Sequence, residues 1–136
     1  MSHFSEVKVE ITDEGCLLAA LGRLGFAGKV EVHQEAQPLY GYQGDVRQQK
    51  ANVIIRRQFV GTAANDIGFE RQPNGSYRVW VSEFDQSHNK YDDTWLGRLK
   101  QGYGIEKVRK EAKKRGYRLT EQKQDDGRVR LVLNRR

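Results

Sequence analysis

An α+β fold, with an antiparallel sheet covered on one face by two main helices, is what this sequence predicts, and three features carry the prediction. Glu6 to Ile11 alternates polar and apolar residues, the period of a half-buried strand. Two stretches with apolar residues at helical spacing each end in glycine followed by an aromatic, Gly25-Phe26 and Gly116-Tyr117. Two turn sequences, Asn74-Gly75 and Asp125-Asp126-Gly127, separate alternating runs. The order is strand, helix, two strands, hairpin, helix, hairpin, and the echo between the helix ends admits two similar β-α-β-β halves.

In the first strand Val7, Val9 and Ile11 fall on one face. Thr12 or Asp13 caps the helix that follows, from about Asp13 to Leu24, with Leu17, Ala20, Leu21 and Leu24 on its apolar side. Val30, Val32 and Gln34 continue the strand pattern weakly. The polar stretch from Gln37 to Lys50 then reads as the longest loop, before the apolar run Val53-Ile54-Ile55. Ile67 to Arg71 and Tyr77 to Phe84 form a hairpin, because Asn-Gly supplies the positive-φ residues that a tight turn needs. Trp95, Leu99 and Tyr103 suit one helical face, and Ile105, Val108 and Ala112 start a second phase after Gly102 and Gly104. A kink or two helices is expected there, the second ending at Gly116. Tyr117 to Lys123 and Val129 to Leu133 close the chain as a hairpin. The helix from about Ile105 to Arg115 is expected to cover the sheet beside the first. Leu17, Leu21, Val53, Ile55, Val79, Val108, Leu131 and Leu133 should share one core.

At 136 residues the chain is the size of one domain, spanning residues 1–136, and folding would bury about two thirds of its unfolded surface. Its single cysteine, Cys16, forms no internal disulfide, which favours a reducing compartment and a cytoplasmic location. The N-terminus lacks the basic and apolar regions of a signal peptide, and no stretch has the length of a membrane span. Charge is uneven. Residues 98–136 carry 14 Lys or Arg against 5 Asp or Glu, whereas residues 1–97 carry 10 against 13. The C-terminal third is therefore +9 and the remainder −3, a distribution that draws anionic partners by attraction that salt weakens.

Taken together, MSHFS, ITDEGCLLAALGRLGF, GYQGDV, NDIGFERQPNGSY and WLGRLKQGYGIEKVRKEAKKRGYRL resemble the hypothetical chloroplast open reading frame thirty-five family of plastids, cyanobacteria and other bacteria. The resemblance spans almost the whole chain. It implies a soluble single-domain protein of the bacterial cytoplasm or, in organellar relatives, the plastid stroma, and it brings no activity, cofactor or site residue with it.

Four parts of the sequence carry candidate chemistry. Cys16 lies in the first turn of a helix, where backbone N–H groups favour a thiolate, but no base accompanies it. Glu83, Asp85, His88, Asp92 and Asp93 gather carboxylates around an imidazole without the spacing of a known metal loop, and Asp92-Asp93 also reads as a helix cap. Tyr40, Tyr42 and Arg47 belong to the long polar stretch, a recognition loop rather than a nucleotide cradle. Lys107, Lys110, Lys113 and Lys114, with Arg128 and Arg130 of the last hairpin, are expected to make one exposed basic patch able to bind a phosphate backbone.

The sequence therefore predicts no catalytic residues, metal or cofactor. It points to a non-enzymatic accessory or adaptor protein that binds a protein partner, with a nucleic-acid-binding module using the basic C-terminal helix as the alternative.

Overall fold

The computed structural model describes residues 3–135; Met1 and Ser2 of the MSHFS segment, and Arg136, lie outside the described residues. An antiparallel sheet in the order β1-β5-β4-β3-β2 is built from β1 (Phe4–Lys8), β2 (Glu31–Tyr40), β3 (Val46–Ile55), β4 (Ile67–Arg71) and β5 (Tyr77–Ser82). The helices are α1 (Glu14–Leu21), α2 (Arg57–Val60), α3 (Glu83–Ser87) and α4 (Asp93–Lys114). A second sheet contains β6 (Tyr117–Lys123) and β7 (Val129–Arg135). The α+β class read from the sequence is the class of this chain.

Alternation along the strands sends Val53, Ile55, Phe69 and Val79 to the face that α1 and α4 cover. Both expected hairpins are present, and at the first of them Gly75 adopts φ 87°, which is why the turn takes Asn-Gly. The helix after β1 is capped by Asp13, whose Oδ1 accepts from Cys16 N at 3.0 Å. Its last turn widens over Gly22–Phe26 before Gly25 ends it at φ 99°.

Four expectations need correction. The kink at Gly102 and Gly104 does not occur, and α4 runs unbroken for 22 residues. Gly102 is buried where α4 passes α1, and a side chain there would begin 3.6 Å from Ala20 Cβ. The close helix contact supports the continuous helix against a glycine penalty of about 1 kcal/mol. The half of α4 that covers the sheet is the N-terminal one, through Trp95, Leu99 and Tyr103, while the expected segment from Ile105 to Arg115 runs on toward β6 and β7. Accordingly Leu17, Leu21, Val53, Ile55 and Val79 share one core, but Val108 and Leu131 are only half-buried and Leu133 is 50% exposed.

The stretch from Gln37 to Lys50 is not a loop but mostly paired strand. Between Val32↔Val53 and Gln37↔Ala51 the register slips, because β2 advances five residues while β3 advances two. Buried Asn52 stitches this bulge together. Its amide donates to the carbonyls of His33 and Gln34 at 3.3 and 3.0 Å and accepts from Arg71 N at 2.9 Å. Beyond the bulge the β2–β3 ribbon bends back over the outer face of the sheet. There Leu39, Ala51 and Ile54 are fully buried with Phe4 and Trp80 packed beside them.

Gly68 lies under that bent ribbon. A Cβ at this position would stand 2.6 Å from Ala51 Cβ and 2.8 Å from Leu39 Cδ2, so Gly68→Ala should cost about 1–3 kcal/mol through overpacking. Urea unfolding tests it, and a midpoint equal to that of the parent would show that the ribbon does not press on β4.

Candidate functional site

The ribbon tip is held by buried side chains of the connection before β4. Asp66, fully buried, accepts from Tyr40 N and Arg57 N, both at 2.7 Å, and forms an ion pair with Arg56 at 2.8 Å. Its neighbour Asn65 accepts from Tyr42 N at 2.9 Å and donates through Nδ2 to Ser82 Oγ and Asp85 Oδ2. Asp85 completes the network by accepting from Ser82 Oγ, Asn65 N and Asn89 Nδ2 at 2.7, 3.0 and 2.8 Å. Arg56 also donates to Glu31 Oε2 at 2.9 Å, which holds the Glu31 carboxyl below its usual range. Burial works against the Arg56 charge, but its two carboxylates outweigh that and raise its pKa.

These bonds fix a surface at one end of the sheet. The Arg56 guanidinium lies 4.9 Å over the Tyr40 ring, and Arg57 Nη1 donates to the Tyr42 carbonyl at 2.9 Å. Tyr40, Tyr42, Val46 and Phe59 are 37, 39, 67 and 41% exposed, four of the six large apolar side chains exposed among the described residues. Arg47 lies apart from them, with its guanidinium 5.2 Å from the Phe4 ring centre and 3.5 Å from Asp45. The sequence singled out Tyr40, Tyr42 and Arg47 but missed Val46, Phe59, Arg56 and Arg57. An apolar residue in an otherwise polar ribbon was the available signal for Val46, and none marked the arginines.

The basic residues do not gather into one patch. Lys107 and Lys110 point at the start of α1, where Asp13 Oδ2 lies 3.9 and 2.5 Å from their ammonium groups. One turn earlier on α4, the Tyr103 hydroxyl accepts from Thr12 N and Asp13 N at 3.1 and 3.0 Å. Tyr103, Lys107 and Lys110 thus form one helical stripe that clamps the α1 entrance. Lys114 pairs with Glu111, and Lys113 shares its exposed end of α4. Arg128 pairs with Asp126 in the β6–β7 turn, which touches Gln101, so it lies about 18 Å along α4 from Lys113. Arg130 stands on β7 opposite Gln122.

The remaining candidates have structural surroundings. Cys16 is buried, and burial, with the Asp13 charge, raises its thiol above the ordinary value. His88 stacks on Phe84 at 4.4 Å, Asp92 caps α4 by accepting from Thr94 N and Trp95 N, and Asp85 belongs to the buried network. Among the described residues no three His, Cys, Asp or Glu side chains are placed to hold a metal ion, and no helix is long and apolar enough to cross a membrane.

Comparison with known proteins agrees with the resemblance seen in the sequence. Residues 20–132 match the model of a family described as a protein of unknown function, DUF1257, and the chain belongs to that family. It is also similar to the uncharacterized protein ycf35 of Cyanophora paradoxa, with 28% identity over 99% of this chain and 98% of the relative. No solved structure matches it.

Two substitutions test the geometry. Asp66→Ala leaves Arg56 buried beside Tyr40 without its inner carboxylate, so stability should fall by about 3–5 kcal/mol and the Tyr40 and Tyr42 amides should exchange faster with solvent. Unchanged exchange at those amides would detach the tip from Asp66. The hydrogen bond from Lys110, then that from Cys16 N, lowers Asp13 from its ordinary 3.8 to about 2. A folded pKa below the unfolded one means a stabilisation that is complete above about pH 4 and lost as pH falls through about 2. Lys110→Met should move the Asp13 titration, followed by NMR, upward toward 3.8, and no movement would break the assignment to Lys110.

Proposed function

We propose that this protein is a non-enzymatic adaptor that binds a protein partner through the end of the sheet formed by the ribbon tip and α2. The observation that carries the reading is the exposure of Tyr40, Tyr42, Val46 and Phe59 beside Arg56 and Arg57, on backbone pinned by a buried hydrogen-bond network. Tyrosine and arginine are enriched where partners bind, and side chains held in place before binding lose less entropy on association. The Arg57 guanidinium has no carboxylate partner among the described residues and bonds to the Tyr42 carbonyl at the rim.

A second reading is nucleic-acid binding by the basic C-terminal helix, favoured by the excess of 14 Lys or Arg over 5 Asp or Glu in residues 98–136. The contacts of Lys107 and Lys110 with Asp13 weaken it for that face of α4.

Affinity capture from nuclease-treated lysate of the source cells separates the two. The adaptor reading expects proteins retained after nuclease treatment and lost with Tyr42→Ala/Phe59→Ala, by about 2 kcal/mol or roughly 30-fold in affinity. Because both side chains are about three-fifths buried, the double variant should also melt lower, so capture is compared well below its own melting temperature, where it is folded. Equal retention by the double variant would remove this end of the sheet as the docking site, and complete loss on nuclease treatment would favour the second reading.

A further inference from the structure

The outer face of the β6–β7 hairpin is a surface of one sign. Register places Arg118 opposite Asn134, Thr120 opposite Val132 and Gln122 opposite Arg130, all on the side turned away from α4. The other side faces the helix, since Glu121 pairs with Arg109 of α4 and with Arg23, and Tyr117 and Leu133 line a cleft against Val108 and Ala112. The three carboxylates of the hairpin are thereby kept off the outer face, Glu121 by pointing inward and Asp125 and Asp126 by lying in the turn. Arg118 and Arg130 are exposed, with no carboxylate partner among the described residues, and Thr120, Gln122 and Asn134 between them add hydrogen-bonding groups of neutral charge.

We propose that this face binds the major groove of duplex DNA. A two-stranded ribbon fits that groove, which is about 12 Å wide, whereas the deep, narrow major groove of an RNA duplex does not admit side chains. Arg118 on β6 and Arg130 on β7 stand on opposite strands, about 13 Å apart along the ribbon, so each guanidinium reaches phosphates on the wall nearer its own strand. Gln122, Thr120 and Asn134 then face the base edges, and the Val132 methyls offer an apolar contact to thymine. Lys113 and Arg115, exposed at the end of α4 next to the start of β6, extend the positive field toward the flanking backbone. The surface is separate from the aromatic end of the sheet and stands or falls independently of the adaptor reading.

The test is fluorescence anisotropy of a labelled DNA duplex with the full chain, titrated with salt. Binding at low salt should weaken with a log–log slope of about −0.9 per phosphate contacted. Arg118→Gln/Arg130→Gln should lower affinity about tenfold or more and flatten the slope by about two, at unchanged circular dichroism and melting temperature. Lys107→Gln/Lys110→Gln, whose ammonium groups face Asp13, should leave the slope within about half a unit of the parent. No binding at low salt, or a slope indifferent to Arg118→Gln/Arg130→Gln, overturns the proposal. So does binding of single strands, RNA duplex or phosphatidylserine vesicles as tight as that of duplex DNA, because the groove would then not be what is recognised.

Discussion

Asp66 joins parts of the chain that covalent order keeps apart. Its two oxygens take the amide of Tyr40 at the ribbon tip, the amide of Arg57 at the head of α2 and the guanidinium of Arg56 at the end of β3. A fully buried carboxylate is tolerable only when its lone pairs are met, and here backbone and side-chain donors meet them. Asn65 beside it extends the same logic to Ser82 and Asp85, so the ends of three strands and the first turn of α3 are set against one another by hydrogen bonds. Hydrophobic burial collapses the sheet and helices, but it is direction-blind; this network decides where the ribbon tip comes to rest.

The two faces of the large sheet are consequently filled by different means. One is covered by α1 and the first half of α4, an arrangement common to two-layer folds. The other is half covered by the chain's own β2–β3 ribbon, leaving a shallow groove where Trp80 donates to Glu70 and Arg78 stacks on the indole. Because α4 outlasts the sheet, its second half is free to carry the β6–β7 hairpin, and the basic residues of the C-terminal third are carried out with it.

Local patterns were legible in the sequence and their long-range destinations were not. The Asn74-Gly75 and Asp126-Gly127 hairpins and the Asp13 cap depend on neighbours within a few residues, and each is where it was expected; Val9 and Ile11 are buried as expected, but β1 is Phe4–Lys8 and they follow it rather than belong to it. Gln37 to Lys50 read as loop because a ribbon folded onto a sheet face needs few apolar residues, and the bulge stitched by Asn52 breaks the period that would have marked it. Gly102 and Gly104 read as helix breakers because propensity is blind to the α1 surface that Gly102 fits. Tyr40 and Tyr42 were singled out as members of a recognition loop, whereas the partners that hold them, Asp66 and Asn65, are separated from them by 26 and 23 positions. Lys107 and Lys110 lie on one face of α4, yet the spacing held no sign that Asp13, 97 residues from Lys110, would meet them.

The position of β1 has a consequence for synthesis. This strand leaves the ribosome before the other strands of its sheet but, among the described residues, pairs only with β5, Phe4 standing opposite Ser82, so its hydrogen-bonding partner emerges 78 residues later. Loop closure over that span is slow relative to a local hairpin, and β4 with β5 should form before β1 can dock beside them. Until then Val7, Val9 and Ile11 are apolar residues on an unpaired nascent segment, the kind of sequence that chaperones protect during translation.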